Sequence, residues 1–219
     1  MENFFVDSVQ HSFDDKPILN NVYLKCGIGE VVGVLGRNGC GKSTLLKIIF
    51  GTINPRFKHL RIDDEIAKNG FLTGKIAYLS QSFFIPHYLK LDVAVKLYTN
   101  KYQSLLLELP IFRNNLNEKM GNLSGGNRRL IEALVIIYSD AKYVLLDEPF
   151  SQLSPLLIEE IKTNINLMLS YKGFVITDHY YQHVVGFASR TILLHNGCNY
   201  QVESLEDLQL QGYIPSELH

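Results

Sequence analysis

The chain has 219 residues, of which 46% are hydrophobic and 20% are charged, and this is the composition of an ordinary globular protein with enough apolar residues for a full core. The formal net charge of −1, without a dense run of Lys and Arg, argues against nucleic acid as a partner. The three cysteines form no C-x-x-C pair, which favours a reducing compartment and excludes a zinc knuckle built on cysteine pairs.

Short strands and turns occupy the first part of the chain. Apolar patterning predicts strands at 4–9, 21–26 and 30–35, with turn signals at 14–17 and 27–29. This order suggests an antiparallel edge that leads into a parallel core strand. A helix is predicted at 43–50, where it is stopped by Gly51, and a buried strand at 75–80.

The middle of the chain differs from the strand-rich first part. Residues 86 to about 120 have a helical pattern, are rich in aromatic residues and are interrupted by Pro110. We interpret this stretch as an inserted helical subdomain. Beyond it, helices at 126–138, 155–171 and 181–186 alternate with strands at 143–146, 174–177 and 191–195. Such alternation predicts an α/β fold with a mostly parallel sheet covered on both faces.

Residues 36–44, here called the phosphate loop, follow the apolar run 31–35 and carry the pattern G-x-x-x-x-G-K-[ST]. Glycines turn the backbone so that its N–H groups point inward, and the start of the following helix adds a positive dipole end. Lys42 is expected to reach the β- and γ-phosphates of a nucleotide, and the Ser43 hydroxyl to hold Mg²⁺. The sequence therefore predicts a P-loop nucleoside triphosphatase. The candidate nucleotide-binding residues of the loop are Gly36, Asn38, Gly39, Cys40, Gly41, Lys42, Ser43 and Thr44.

A pair of carboxylates follows the apolar strand at 143–146, at the end of the strand where open α/β sheets bind ligands. Asp147 is expected to contribute to the Mg²⁺ shell. Glu148 is expected to orient and deprotonate the water that attacks the γ-phosphate.

A second anion-binding pattern is Leu123-Ser124-Gly125-Gly126-Asn127, a serine helix cap followed by two glycines. The order of phosphate loop, this pattern and the carboxylate pair resembles the ATP-binding cassette (ABC) ATPases, and the chain looks like the nucleotide-binding subunit of an ABC transporter. The resemblance covers nearly the whole length. It implies an ABC ATPase fold with a RecA-like core and antiparallel β subdomain at 1–85 and 125–219, and a helical signature subdomain at 86–124.

The resemblance also implies roles for residues that their own patterns would not assign. Ser124, Gly125 and Gly126 would contact the ATP bound by a second subunit in a head-to-tail dimer. Phe13 would stack on adenine, and Gln81 would touch Mg²⁺ or the attacking water. His179 would hydrogen-bond the γ-phosphate and keep that water in line.

Three positions depart from the family pattern or add chemistry to it. Asn127 replaces a glutamine, and Ser154 replaces an aspartate that helps to couple the two sites across the dimer. We expect Ser154 to cap the helix that begins at Pro155. Cys40 lies beside a helix N-terminus and is expected to be a reactive thiol when nucleotide is absent.

The resemblance implies an ATPase subunit that uses ATP and Mg²⁺ and drives separate membrane-spanning subunits from the cytoplasmic face of the membrane. It also implies a second ATPase subunit, and a homodimer is expected, although the resemblance leaves a heterodimer open. No apolar run of 18 residues is present in the chain itself. Two alternatives stay open: a soluble ABC ATPase acting on a macromolecule, and a weakly hydrolysing regulatory module. The expected docking surface for a membrane subunit is aromatic and apolar and consists of Phe83, Phe84, Ile85, Tyr88 and Leu89.

Overall fold

The computed structural model describes residues 2–178 and 181–215, so the predicted role of His179 lies outside the described residues. Ten strands and eight α-helices follow one another in these ranges. In chain order they are β1 (Asn3–Phe13), β2 (Lys16–Gly27), β3 (Val31–Leu35), α1 (Lys42–Phe50), β4 (Phe57–Ile62), β5 (Glu65–Ile66), β6 (Ile76–Leu79), α2 (Leu91–Tyr98), α3 (Gln103–Glu108), α4 (Pro110–Arg113), α5 (Gly125–Ile137), β7 (Tyr143–Asp147), α6 (Pro155–Met168), β8 (Gly173–Thr177), α7 (Tyr181–Val185), β9 (Arg190–His195), β10 (Cys198–Val202) and α8 (Leu205–Leu210).

The central layer is a six-stranded sheet with the order β10-β9-β3-β8-β7-β6. Every neighbouring pair is parallel except β9 and β10, which form an antiparallel hairpin. The mostly parallel sheet predicted from the alternation of strands and helices is confirmed.

Strand β7 shows why the core strands read as continuous apolar runs. Val144 and Leu146 pack with the helices α5 and α6 on one face, whereas Tyr143 and Leu145 pack with α1 and the second sheet on the other. Because both faces are buried, the strand has no polar alternation. The same run ends at Asp147, which places this carboxylate at the carboxyl edge of the sheet.

A second, antiparallel sheet has the order β2-β1-β4-β5 and covers one face of the central sheet. Strands β1 and β2 are longer than predicted, and β4, β5 and β10 were missed. Register shifts interrupt the pairing of β1 with β2 after Val6, Val9 and His11. Each bulge moves the following side chains to the other face, so the period-two pattern is lost in the sequence.

The stretch 86–120 contains three short helices, α2, α3 and α4, and no regular strand among its described residues. Pro110 occupies the first position of α4 and does not interrupt a longer helix. Proline is tolerated there because the N–H that it lacks would have no partner within the helix. Buried residues of these helices, among them Leu91, Leu106 and Phe112, join one hydrophobic cluster with α5. No helix in the described part of the chain is long and apolar enough to cross a membrane.

Candidate functional site

A cleft of about 440 Å³ lies over the phosphate loop, where β3 ends and α1 begins. It is lined by Phe13, Ile18, Asn38, Gly39, Gly41, Lys42, Ser43, Thr44, Gln81 and Glu148. Seven residues predicted to bind nucleotide and two predicted to act in catalysis, Gln81 and Glu148, therefore meet in one cavity.

Two glycines of the phosphate loop have no room for a side chain. At Gly36, whose φ is +153°, an added Cβ would lie 2.4 Å from Cys40 Sγ and 2.6 Å from the Leu194 carbonyl oxygen. At Gly41, whose φ is +107°, it would lie 2.8 Å from a methyl carbon of Leu19. The loop can follow this tight path because glycine tolerates positive φ and close packing.

Lys42 is the first residue of α1 and only 5% exposed. Its ammonium donates hydrogen bonds to the carbonyl oxygens of Gly36 at 2.6 Å and Arg37 at 3.3 Å. The lysine charge thus lies within the phosphate loop, beside the backbone that would receive the phosphates.

Asp147 is fully buried and accepts hydrogen bonds from three hydroxyl groups. The donors are Ser43 Oγ at 2.9 Å, Thr177 Oγ1 at 2.8 Å and Tyr78 OH at 2.9 Å. Burial, followed by the nearby Asp147 carboxylate, raises the pKa of Tyr78 well above its usual value, so this phenol stays a neutral donor. Ser43 and Asp147 provide the hard oxygen ligands that Mg²⁺ prefers, and they fit such an ion.

Gln81 joins the phosphate-loop side of the site to the carboxylates. Its Nε2 donates to Ser43 Oγ at 2.9 Å and to Glu148 Oε1 at 2.7 Å, and it lies 3.5 Å from Asp147 Oδ1. The loop glutamine, the serine and both acidic residues therefore form one hydrogen-bonded set.

Glu148 has a strained backbone, because its φ is +52° and residues other than glycine rarely adopt a positive φ. Its N–H is held by Thr177, whose carbonyl oxygen and Oγ1 accept at 3.0 and 3.2 Å. Strain of this kind costs about 1 to 3 kcal/mol and clusters at functional sites. Here it turns the side chain of Glu148 into the cleft.

Sequence reasoning missed Tyr78, Thr177 and Arg129. The Arg129 guanidinium is 5% exposed and donates to the carbonyl oxygens of Ser80, Asp147 and Glu148, at 2.6 to 3.0 Å. Burial lowers its pKa from the ordinary value. Polar residues in otherwise apolar strands would have indicated Tyr78 and Thr177, but nothing in the sequence of α5 distinguishes a buried arginine from an exposed one.

The predicted signature residues do not line the phosphate-loop cleft. Ser124 caps α5, and its Oγ accepts a hydrogen bond from the Asn127 N–H at 3.2 Å. Gly125 and Gly126 line a neighbouring cleft of about 550 Å³ that also includes Glu148. Within the described residues of one subunit, Lys42 and the signature glycines therefore belong to different cavities.

Phe13 ends β1, is 47% exposed and lines the cleft, in edge-to-face contact with His11 at 4.6 Å between ring centres. Asn38, Gly39 and Thr44 also line this cleft, whereas Cys40 does not. The expectation of a reactive Cys40 thiol is wrong in direction, because burial raises its pKa more than the nearby Lys42 lowers it. Ser154 occupies the cap position of α6, but its side chain accepts no capping hydrogen bond.

The family model and the curated relatives that match this chain are both of the ABC transporter type. The family model described as ABC transporter matches residues 19–151. The chain is 27% identical over 215 residues to the lipopolysaccharide export system ATP-binding protein LptB of Escherichia coli (strain K12), covering 90% of this chain and 88% of that protein. It is 30% identical over 212 residues to LptB of Acidithiobacillus ferridurans, covering 87% and 85%.

Among solved structures, the ATP-binding subunit of an ABC transporter superposes with a TM-score of 0.83 over 97% of this chain and 95% of that chain. The two sequences are 22% identical, so this likeness speaks for the fold alone. The predicted α/β fold, an ABC ATPase fold, is confirmed.

Proposed function

The chain belongs to the ABC transporter family as an ATP-binding and ATP-hydrolysing subunit, and on that premise we propose which residues bind ATP, which promote its hydrolysis and how the subunit assembles. The observation that carries the proposal is the hydrogen-bonded set of Ser43, Gln81, Asp147 and Glu148 beside the phosphate loop. A soluble ATPase acting on a macromolecule, one of the two alternatives left open by the sequence, is not favoured by these relatives.

ATP would bind with its phosphates in the phosphate loop, where backbone N–H groups and the start of α1 favour negative charge. Lys42 would move its hydrogen bonds from the loop carbonyls to the β- and γ-phosphates. Phe13, half-exposed at the edge of the cleft, would stack on adenine. Ser43, Asp147 and Gln81 would hold Mg²⁺, which when bound would neutralise charge on the phosphates.

In the proposed hydrolysis step, Glu148 accepts a proton from water while the water oxygen attacks the γ-phosphorus. The bond between the γ-phosphorus and the oxygen that bridges to the β-phosphate breaks, which gives ADP and phosphate. The strained backbone and the Gln81 hydrogen bond hold the Glu148 carboxylate towards the cleft before water arrives. His179 would hydrogen-bond the γ-phosphate, a role that rests on the sequence resemblance.

For assembly, we propose a homodimer in which Ser124, Gly125 and Gly126 complete the site of the partner, since these residues are accessible and outside their own phosphate-loop cleft. The proposed subunit consists of a core at 1–85 and 125–219 and a helical subdomain at 86–124. It would act at the cytoplasmic face of the membrane.

Separate membrane-spanning subunits would dock beside Gln81. Of the predicted aromatic surface, Phe83 is 47% and Tyr88 is 66% exposed, whereas Ile85 is buried in the core. The Arg128 guanidinium lies 4.2 Å from the centre of the Phe83 ring and holds it at the surface. Lipopolysaccharide export is the function named for the LptB relatives, and we carry only the transport-coupled ATPase role to this chain.

The proposal is tested by ATP turnover of the purified chain and of Glu148→Gln, with gel filtration of both in ATP. Glu148→Gln is expected to lose at least about a hundredfold in kcat, the usual contribution of a general base, and to accumulate as an ATP-bound dimer. Exposed Glu108, in α3, provides the matched control Glu108→Gln, which should hydrolyse like wild type. Turnover retained by Glu148→Gln would rule out the assigned base, and a wild type that neither hydrolyses ATP nor dimerises would rule out a homodimeric motor.

A further inference from the structure

The C-terminal helix α8 ends in a tight turn, residues 211–213, here called the C-terminal turn. The Gly212 N–H donates to the Gln209 carbonyl and the Tyr213 N–H to the Leu208 carbonyl, both at 2.8 Å. Gly212 has φ at +63°, and Leu208 and Tyr213 belong to one hydrophobic cluster. These are the features of a Schellman ending, in which glycine takes the left-handed position and the residue after it folds back on the helix.

The turn contacts the first two residues of the phosphate loop. The Arg37 guanidinium donates to the Gly212 carbonyl oxygen at 2.6 Å. Tyr213 packs against the hydrophobic cluster that contains Leu35, the residue before Gly36. Burial raises the pKa of the Tyr213 hydroxyl more than the Gly36 N–H lowers it, so the phenol stays neutral. Both contacts join residues that are more than 170 positions apart in the sequence.

The same two loop residues carry the hydrogen bonds of Lys42, whose ammonium donates to the carbonyl oxygens of Gly36 and Arg37. The backbone around Gly36 thus lies between Lys42 on one side and the C-terminal turn on the other. Gly36 also packs against Cys40 and the Leu194 carbonyl with no space for a Cβ. A shift of the turn would therefore be transmitted to Lys42, the residue proposed to contact the phosphates.

We propose that the C-terminal turn positions the phosphate loop for nucleotide, with Tyr213 and Arg37 as positioning residues. A loop held in its binding conformation before nucleotide arrives loses less conformational freedom on binding, and affinity falls in proportion when the competent state is less populated. The inference rests on the proposed binding of ATP phosphates by this loop and adds a determinant of affinity outside the cleft.

The first test compares Tyr213→Phe with Tyr200→Phe, the same change at an exposed position of β10. Steady-state kinetics give KM and kcat, and isothermal titration calorimetry gives the Kd for ADP. Tyr213→Phe should raise KM for ATP and Kd for ADP about three- to tenfold, the worth of one neutral hydrogen bond, with kcat within about twofold of wild type. Tyr200→Phe should match wild type in all three.

The second test changes the other contact. Arg37→Met removes the donor to Gly212 and should weaken ADP binding, whereas Arg37→Lys keeps a donor and should restore most of the affinity. Unchanged affinities in Tyr213→Phe, or a lower melting temperature and kcat with unchanged affinities, would overturn the inference and leave the turn a purely structural element. A wild type that binds neither ATP nor ADP would instead overturn the proposed function.

Discussion

At the scale of single residues, Lys172 carries an ammonium group in the interior of the fold. It is fully buried before β8, and its ammonium donates to the carbonyl oxygens of Ser139 and Ala141 and lies 5.0 Å from the centre of the Tyr102 ring. Burial lowers its pKa to about 7, although Asp140 opposes this shift. The lysine therefore titrates near neutral pH in the folded protein.

The sign of its effect on stability follows from proton uptake. Between about pH 7 and the unfolded pKa near 10.5, the unfolded chain keeps the Lys172 proton while the folded chain loses it, so the free energy of unfolding rises with pH. Relative to Lys172→Met, wild type should gain about 2 to 3 kcal/mol between about pH 6.5 and about pH 9.

Urea unfolding of both proteins at the two pH values measures this difference, and groups common to both cancel. Lys96→Met, at an exposed lysine of α2 that pairs with Asp92, is the matched control and should show little pH-dependent difference from wild type. Parallel pH profiles of wild type and Lys172→Met would show that Lys172 stays charged in the folded protein.

At the scale of secondary structure, the two serine caps differ in a testable way. Ser124 caps α5 through its side chain, whereas Ser154 stands at the same position of α6 without a side-chain hydrogen bond and is followed by Pro155. Ser124→Ala should lower the free energy of unfolding by about 1 kcal/mol, the usual loss for a cap. Ser154→Ala should lower it by no more than about 0.5 kcal/mol, as for a change away from such contacts.

Ser124→Ala and Ser154→Ala serve as controls for each other, because the chemical change is the same and both helices flank β7. Midpoints of urea unfolding at a common slope give the two losses. Equal losses would mean that the Ser124 hydrogen bond adds nothing to the stability of α5.

At the scale of the whole molecule, one subunit does not gather all of its proposed nucleotide-binding residues into one cavity. Lys42 and the signature glycines line different clefts. A head-to-tail dimer would unite them across subunits, with each site built from the phosphate loop of one chain and the signature residues of the other.

Mixing two inactive variants tests this arrangement. Lys42→Ala removes the proposed phosphate ligand, and Gly125→Asp would oppose phosphate with a carboxylate. An added Cβ at Gly125 meets no atom within 4 Å, so this variant should fold. Each variant alone should be inactive. An equal mixture should recover up to about a quarter of the wild-type turnover, because about half of the dimers are mixed and each mixed dimer has one intact site.

An inactive mixture whose subunits demonstrably exchange would contradict the in-trans assignment. The matched mixture is Lys42→Ala with Glu148→Gln. In the proposed dimer, Lys42 and Glu148 of one chain belong to the same nucleotide site. Each site of a mixed dimer therefore lacks one of these two residues, and the mixture should recover no ATP turnover.

Local sequence was sufficient for the parts of the fold that depend on neighbours in the chain. Glycine spacing predicts the phosphate loop, and the apolar runs predict β3, β7, β8 and β9 to within one residue, because strands buried on both faces show no polar interruption. The end of such a run also predicts where Asp147 and Glu148 lie. The bulged strands β1 and β2 were predicted too short because each bulge breaks the alternation.

The distant residues that support the site could not be predicted from the sequence. Arg129, the hydroxyls that contact Asp147, the strained backbone of Glu148 and the link from Tyr213 to Gly36 depend on the packing of separate elements. The family, the fold class and the candidate chemistry could be predicted from the sequence, because glycine freedom and apolar periodicity are local properties and the order of the motifs is visible along the chain. Burial and hydrogen bonding between residues far apart in the chain are not local, so the folded chain alone determines them.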